Sequence, residues 1–372
     1  MIIDFDSEIF LLQEKGGVSK YFSEIIAEFR RNKSHQIDPR MTFRRSNNIH
    51  LRDIDSNIKP LVFPYVKPNS PKRALATYGP IKFTNSILSS RPIINRSHQD
   101  FFHATYYRPN LIERLGVARL AVTVHDFIPE KLGWNGIRNP HIGKRSLVRK
   151  SDLVFAVSRS TADDLLDFYG ELEVPVVVVP HGVREVGNRY DKLSTPQIPV
   201  VLYVGERAGY KNFVQLAKAI SNLWQSGQAI NLITVGSTFS QAEFDSLFAK
   251  GYRKFWKHFQ FLEDGALRNL YRTASVLCMT SRMEGFGLPM LEALAQGTAV
   301  IASDIPISRE VCGDQARYFE VGNVDSLMHA ILGSIENSHV DSEIDMRITW
   351  AAERTWNKSA RLMADAYFQF SH

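Results

Sequence analysis

One stretch, SRMEGFGLPMLEALAQG at residues 281–297, constrains the fold of this chain most, because it joins a glycine-rich turn to a short helix. Gly285 and Gly287 let the backbone approach a ligand closely, and Pro289 suits the first position of a helix. Gly297 then supplies a C-terminal cap. Since a helix start presents unpaired N–H groups and the positive end of a dipole, this pattern predicts a site for phosphate or diphosphate.

Two carboxylates flank the turn, Glu284 before it and Glu292 one turn into the helix. The simpler interpretation of Glu292 is a partner for the helix dipole, a role that stabilises a helix by about 0.3–1 kcal/mol. Acids beside a phosphate site repel the phosphate, unless they bind neutral hydroxyl groups instead. Sugar hydroxyls meet this requirement, and from the residues alone both interpretations of Glu292 remain open.

The string EGFGLPMLEALAQGTAVIASD resembles the signature of the family-4 retaining glycosyltransferases, which have the GT-B architecture and use nucleotide-sugar donors. The resemblance implies that Glu284 holds hydroxyls of the donor sugar and that Glu292 holds the ribose. It also implies donor contacts from the residues of the turn, which are Gly285, Phe286, Gly287 and Leu288.

Arg207 and Lys211 lie between a predicted strand and a predicted helix. A charged pair in such a loop is usually only solvated. However, YVGERAGYKNF resembles the diphosphate clamp of the family, in which Arg binds phosphate with two hydrogen bonds and Lys acts as a point charge. The resemblance further places the nucleobase along Phe261 and Leu262, mostly through backbone groups.

The chain opens with a strand candidate in residues 1–13, a Gly-Gly break, and a helix with one apolar face from Val18 to Phe29. This order is typical of a doubly wound unit. Gly16 and Gly17 either form a tight turn or approach a ligand. The resemblance favours the second role and places Gly17 in a loop that faces donor and acceptor.

Two predicted strands, 101–105 and 120–126, end near a histidine, His103 in the first and His125 in the second. A lone His at a strand end is more often structural than functional. The resemblance reverses this expectation for His125 alone, because VTVH matches the family pattern in which the His contacts the donor sugar near its 6-hydroxyl. The predicted catalytic residues are therefore His125, Glu284, Arg207 and Lys211.

A chain of 372 residues exceeds what one hydrophobic core usually supports, so two domains are expected. The resemblance implies an α/β fold of two Rossmann-like, doubly wound domains that face each other across a cleft. The predicted bounds are 1–187 for an acceptor-side domain and 199–354 for a nucleotide-sugar domain. A C-terminal helix of about 355–372 would complete the first domain, within a helical period that runs from Trp350 to Phe370.

The composition, with 44% hydrophobic and 23% charged residues, is that of a globular protein and excludes a disordered chain. Cys278 and Cys312 lie in apolar or helical contexts, which favours buried, reduced thiols in a cytoplasmic protein. The acidic N-terminus predicts no export signal, and no apolar run approaches the roughly 20 residues of a membrane span.

The net charge of +6 is uneven, because residues 1–190 hold 28 Lys and Arg against 20 Asp and Glu. No aromatic-interleaved basic cluster lies on a recognisable module, so nucleic acid is not an expected partner. An anionic membrane or a phosphate-bearing acceptor fits better, which predicts a cytoplasmic protein with peripheral contact on the inner face of the membrane. The alternative is a basic surface that is merely solvated. The clustered candidates for this contact are Lys72, Arg73, Lys144, Arg145, Arg149 and Lys150.

The resemblance implies transfer of a hexose with retained configuration to a glycan or lipid-linked acceptor in polysaccharide synthesis. GDP-mannose is the first expected donor, followed by UDP-hexoses. Two alternatives remain, a soluble sugar or sugar-phosphate synthase of GT-B fold and a non-catalytic protein that binds nucleotide sugars.

No cofactor and no metal are expected, because Arg207, Lys211 and the helix start near Leu288 neutralise the diphosphate. Two acidic pairs resemble the metal-binding triplet of the other large glycosyltransferase class, Asp4 with Asp6 and Asp53 with Asp55. Matches of three residues often arise by chance, and neither pair follows a nucleotide-binding unit.

Overall fold

The computed structural model describes residues 1–372 except 53, 62–99, 108–118, 137–138, 189–195, 208, 261, 339 and 372. The chain forms two compact units. The first comprises Met1–His181 and Trp356–His372, and the second comprises Gly182–Thr355. Residues 182–187 therefore belong to the second unit.

The first unit contains a parallel sheet whose described strands have the order β2-β1-β3-β4-β5-β6. The strands are β1 (Ile2–Phe5), β2 (Asp38–Met41), β3 (Phe101–Ala104), β4 (Leu120–Val124), β5 (Leu153–Ala156) and β6 (Val176–Val178). The order reverses between β1 and β3, and open α/β sheets bind ligands at the carboxyl ends of the strands beside such a switch point.

The first unit carries five described helices before its last one: α1 (Glu8–Leu12), α2 (Gly17–Arg31), α3 (Ile128–Lys131), α4 (Lys144–Lys150) and α5 (Arg159–Tyr169). The predicted apolar face of α2 is confirmed, since its residues from Tyr21 to Phe29 at helical spacing are completely buried. The short strand expected within residues 1–13 is confirmed as β1, which ends at Phe5. The chain turns after Phe5 because the Asp6 carboxylate accepts a hydrogen bond from the Glu8 N–H at 3.1 Å, and α1 begins there.

Two local features complete the first unit. Ser158 caps the N-terminus of α5, since its Oγ accepts a hydrogen bond from the Thr161 N–H at 3.0 Å. Strand β6 is half-buried, because it lies at the edge of the described sheet.

The second unit contains a parallel sheet with the order β12-β11-β10-β7-β8-β9. The strands are β7 (Val200–Val204), β8 (Asn231–Val235), β9 (Trp256–Phe259), β10 (Val276–Met279), β11 (Ala299–Ser303) and β12 (Ala316–Phe319). Counted from β7, this is the 3-2-1-4-5-6 order of a Rossmann fold, with its switch point between β7 and β10. The predicted α/β fold with two Rossmann-like, doubly wound domains is confirmed.

Helices cover both faces of this sheet, which explains why β10 is buried at every position and reads as a continuous apolar run. They are α6 (Phe213–Gln225), α7 (Gln241–Leu247), α8 (Asp264–Thr273), α9 (Leu288–Ala295), α10 (Pro306–Cys312), α11 (Val324–Asn337) and α12 (Asp341–Ala352). Cys278 and Cys312 are buried and unpaired, as expected. None of the helices in the described ranges is long and apolar enough to cross a membrane.

The predicted continuous helix from Trp350 to Phe370 is interrupted. Helix α12 ends at Ala352, and the last helix, α13 (Trp356–Gln369), starts four residues later. The intervening residues pair with Val183, whose N–H donates to Arg354 O at 2.9 Å and which forms a bridge with Thr355. Helix α13 then packs against α2 within the first unit.

Candidate functional site

The switch point of the second unit brings two loops together. Strands β7 and β10 are neighbours in register, with Val201 opposite Val276. The loops that follow them, 205–212 and 280–287, therefore leave the same edge of the sheet side by side. Thr280 Oγ1 donates to Lys211 O at 3.0 Å, and the Arg282 N–H donates to Tyr210 O at 2.8 Å, so the two loops are joined by hydrogen bonds.

Lys211 and Glu284 form an ion pair across these loops, with Nζ 2.7 Å from Oε1. The side chains are 17% and 9% exposed, so little water screens the pair. The structure thus brings together the residue predicted for the diphosphate and the residue predicted for the sugar hydroxyls. A cation and a carboxylate in contact can be shared with a ligand that carries both phosphate and hydroxyl groups.

The glycine-rich turn has the predicted form. Gly287 adopts a left-handed φ of 84° directly before α9, which begins at Leu288 with Pro289 in its first turn. Phe286 is buried and Gly285 precedes it in the turn. At the other end of α9, the Gly297 N–H donates to Leu294 O, the pattern of a Schellman cap. The helix start lies in the same loop as Glu284.

Glu292 lies in the middle of α9, and its Oε2 accepts a hydrogen bond from the Tyr271 hydroxyl at 3.0 Å. The predicted nucleobase segment precedes α8, which carries Tyr271. Leu262 is half-buried at that position, and Phe261 lies outside the described residues.

Arg207 follows β7, and its guanidinium is held by the loop after β8. It binds both carboxylate oxygens of Glu243, at 2.8 and 3.0 Å, and donates to the backbone oxygens of Ser237 and Thr238. The guanidinium also lies 4.1 Å from the centre of the Phe239 ring. Four hydrogen bonds thus hold Arg207, and its role as a phosphate ligand stays a prediction.

His125 follows β4 at the carboxyl edge of the first sheet and is 4% exposed. Within the described part of the chain, neither ring nitrogen has a hydrogen-bond partner. Burial, with a smaller effect of His181, lowers the pKa of His125 well below its usual range, so the ring is neutral at neutral pH. A neutral imidazole has one donor and one acceptor nitrogen, which suits a hydroxyl group.

The backbone around His125 is fixed by two buried side chains. The His125 N–H donates to the Tyr107 hydroxyl at 2.9 Å, and Lys144 Nζ donates to Asp126 O at 2.7 Å. Lys144 also pairs with Glu130 at 2.8 Å. Its side chain is completely buried, and burial lowers the pKa of Lys144 to about 8. The prediction that Lys144 faces a membrane is therefore wrong.

His103 is a core residue, as the sequence indicates. Its ring is stacked between Phe5 and Phe155, Nε2 contacts Thr123 Oγ1 at 2.8 Å, and Nδ1 contacts the Tyr367 hydroxyl. The last contact joins α13 to β3.

Gly17 is the first residue of α2, where an added Cβ would meet no described atom within 4 Å. At Gly16 the added atom would lie 2.3 Å from Gln13 Oε1. The described structure leaves room for a side chain at 17, and the contact of Gly17 with a ligand stays a prediction.

Of the two acidic pairs, Asp6 is completely buried and its Oδ1 accepts hydrogen bonds from Thr105 and Glu8. Burial raises the pKa of Asp6 to about 7. Asp53 lies outside the described residues. The Asp6 carboxyl joins β1 to the end of β3.

The sequence did not reveal Tyr271, Glu243, Tyr107 or Asn212. Asn212 adopts a left-handed φ of 53° between Lys211 and α6. Its position between Lys211 and a predicted helix could have indicated this conformation, since Asn is one of the residues that tolerate it. The other three act through partners that are distant in the sequence.

Two family models match nearly the whole chain. Residues 15–185 match the model of Glycosyltransferase Family 4, and residues 189–353 match the model of glycosyl transferases group 1.

Among curated proteins, the chain is 28% identical over 295 residues to the serotype-specific mannosyltransferase WbdA of Escherichia coli. The match covers 68% of the chain but 35% of WbdA, so the chain spans about a third of that relative. It is 23% identical to the O-antigen chain mannosyltransferase B of Escherichia coli, covering 73% of the chain and 75% of that protein.

Among solved structures, sucrose-phosphate synthase from Thermosynechococcus elongatus has a TM-score of 0.75 at 16% identity. The alignment covers 99% of the chain and 98% of the synthase, which establishes the GT-B fold. With the two family models, the parallel sheets and the matching signature at 284–304, the chain belongs to the family-4 glycosyltransferases of GT-B fold.

Proposed function

We propose that this protein is a retaining glycosyltransferase that moves a hexose, with mannose first, from a nucleotide-sugar donor to a glycan or lipid-linked acceptor in polysaccharide synthesis. The observation that carries the proposal is the site at the β7/β10 switch point. There Lys211, Glu284 and the start of α9 combine positive charge with a carboxylate, as a sugar diphosphate requires. Two relatives named as mannosyltransferases support mannose as the sugar.

In this proposal Lys211 and the start of α9 take the charge of the diphosphate as the leaving group departs. Glu284 binds sugar hydroxyls, Glu292 binds the ribose, and the neutral imidazole of His125 contacts another hydroxyl of the sugar. Arg207 adds positive charge to this site, while its contacts hold the loop after β8 and Glu243 at the start of α7. The acceptor attacks the same face that the diphosphate leaves, so the configuration is retained.

Binding of the donor has to separate the Lys211–Glu284 ion pair. Bringing phosphate to Lys211 draws the ammonium away from Glu284, and the sugar hydroxyls replace it as hydrogen-bond donors to the carboxylate. The site thus favours a ligand with both groups over a nucleoside diphosphate or a sugar alone.

The test is a donor screen by thermal shift, followed by an assay for released nucleoside diphosphate. GDP-mannose is expected to raise the unfolding temperature in a concentration-dependent way and to release GDP slowly by hydrolysis without acceptor. UDP-hexoses are the comparison ligands. A screen in which no nucleotide sugar stabilises the protein would contradict the proposal, and stabilisation without any release would favour a binding protein.

Metal independence is part of the proposal, because the cationic groups of the protein neutralise the diphosphate. Turnover is expected to continue in excess EDTA with little change. Complete loss of turnover in EDTA that Mn²⁺ restores would refute metal independence. The acidic pairs of the first unit would then be the candidate metal ligands.

The likeness in fold to sucrose-phosphate synthase supports a second candidate function, that of a synthase that glycosylates a soluble sugar or sugar phosphate. A membrane-derived acceptor distinguishes the two functions. Product formation from GDP-mannose with a soluble sugar phosphate, and none with lipid-linked glycan, would favour the synthase.

A further inference from the structure

Tyr271 connects two parts of the second unit. It lies in α8, the helix that follows the Leu262 segment, and its side chain reaches α9. The residue is 1% exposed, so its hydroxyl has little access to water. Thr298 Oγ1 donates to the backbone oxygen of Tyr271 just after the end of α9. Hydrogen bonds therefore join both the backbone and the side chain of Tyr271 to residues in α9 or directly after it.

The Tyr271 hydroxyl donates a hydrogen bond to Glu292 Oε2 at 3.0 Å. Burial first and the Glu292 carboxylate second raise the pKa of Tyr271 well above its usual range, so the hydroxyl keeps its proton. It is consequently a permanent donor to Glu292. The two oxygens of a carboxylate can accept about four hydrogen bonds, and acceptors of this kind are what a ribose diol requires.

A glutamate on a helix surface otherwise samples several side-chain rotamers. A hydrogen bond from a rigid, buried ring selects one of them before ligand arrives, and such preorganisation increases affinity because less freedom is lost on binding. The structure contains this arrangement at the residue that the family resemblance assigns to the ribose.

We propose that Tyr271 is a positioning residue for ribose recognition, which holds the Glu292 carboxylate in the orientation that receives the hydroxyls of a nucleoside diphosphate. The inference rests on the proposed function. It adds a residue and a mechanism of selectivity, namely preference for ribonucleotides over deoxyribonucleotides.

The test is calorimetric titration of wild type and Tyr271→Phe with GDP, 2′-deoxy-GDP and 3′-deoxy-GDP. Wild type is expected to bind GDP more tightly than at least one deoxy form, by on the order of tenfold, since hydrogen bonds to a charged group are strong. Tyr271→Phe is expected to bind GDP several-fold more weakly and that deoxy form unchanged. The ratio between the two ligands therefore shrinks.

Glu292→Gln and the double variant complete a mutant cycle. Glu292→Gln is expected to abolish the ratio, and adding Tyr271→Phe to it is expected to change nothing further. Tyr318→Phe is the matched control, because the Tyr318 hydroxyl is also partly buried in this unit but donates to Gly313 O. This variant should retain the wild-type ratio.

A Tyr271→Phe variant with the wild-type ratio would overturn the inference, as would an equal loss of affinity for GDP and the deoxy forms, which indicates a purely structural role. Thermal unfolding without ligand shows whether the variant is folded. If it is not, the same ratio measured for Glu292→Gln decides whether Glu292 reads the ribose, and an unchanged ratio there also overturns the inference. If wild-type protein binds neither GDP nor UDP, the result contradicts the proposed function. This outcome is distinct from one that contradicts only the role of Tyr271.

Discussion

At the scale of single residues, the two predicted cations of the diphosphate site have different surroundings. Lys211 has Glu284 as its ion-pair partner within the turn that leads to α9. Arg207 is 8% exposed and is enclosed by Glu243, two carbonyl groups and an aromatic ring. Loss of Arg207 would remove the hydrogen-bond partner of Glu243 and of two backbone carbonyl groups.

This difference gives a prediction. Lys211→Ala and Arg207→Ala are each expected to lower turnover by on the order of 10²-fold or more, if they stabilise charge on the departing phosphate. Arg207→Ala is also expected to lower the unfolding temperature, because it leaves Glu243 and two carbonyl groups without their partner. Lys211→Ala should lower that temperature less, since it removes one ion-pair contact with Glu284 rather than four hydrogen bonds. Near-normal turnover in both variants would end the assignment.

Asp6 gives a prediction about pH. Burial raises its pKa to about 7, from an ordinary value of 3.8, so the folded state keeps a proton that the unfolded state releases between these values. The stabilising contribution is complete below about pH 4 and is lost as pH rises through 7. Each pH unit between the two pKa values corresponds to about 1.4 kcal/mol of stability. The unfolding temperature of wild type should thus fall between pH 5 and pH 8 by more than that of Asp6→Asn.

The asparagine keeps the size of the protonated acid and does not ionise. Asp100→Asn, at an exposed carboxylate near the same sheet, is the control and should show the wild-type dependence. An equal fall for Asp6→Asn and wild type would contradict the prediction.

The residues that the sequence could identify lie within short motifs, where neighbours in the chain are neighbours in space. Lys211 and Glu284 were found because each belongs to a recognisable loop at a strand end. Tyr271 and Glu243 were missed because their partners, Glu292 and Arg207, are 21 and 36 residues away in the sequence. Nothing in the spacing indicates such pairs, which form only when the sheet places the helices.

At the scale of elements, the parallel strands were the most predictable part of the fold. Strands covered by helices on both faces must be apolar throughout, as in β7 and β10, and this produces unmistakable runs in the sequence. The errors concern element ends. The helix predicted across 350–370 is broken, because residues 354 and 355 pair with Val183. Long-range contacts determine these ends.

Two glycines at helix ends allow a paired prediction. Gly297→Ala is expected to destabilise the protein by about 1–2 kcal/mol, because φ is 72° and the new Cβ would lie 2.7 Å from Ile344 Cγ2. Gly17→Ala is expected to leave stability unchanged or higher, since the added atom has open space at a helix start, while donor turnover falls. Chemical denaturation and the turnover assay measure the two effects. Normal turnover of Gly17→Ala would exclude close ligand approach there.

At the scale of the whole molecule, positive charge is concentrated in the first unit, and the structure identifies which basic residues face solvent. Of the six candidates, Arg145, Arg149 and Lys150 are exposed on α4, Lys144 is buried, and Lys72 and Arg73 lie outside the described residues. Trp134 and Ile142, which precede α4, are 43% and 56% exposed. Large apolar side chains near exposed cations are the composition of a surface that binds anionic lipid.

The last prediction is that this surface holds the enzyme on anionic membranes while it uses a lipid-linked acceptor. Each basic residue near such a membrane contributes about 1 kcal/mol, so replacing Arg145, Arg149 and Lys150 by Ser is expected to weaken vesicle binding by on the order of 100-fold. Binding in co-sedimentation should require anionic lipid and decrease with salt, because the attraction is screened. The control replaces three exposed lysines of the second unit, Lys218, Lys254 and Lys257, by Ser and should retain binding. Binding that ignores lipid charge, or no binding at all, would favour a soluble acceptor and the synthase.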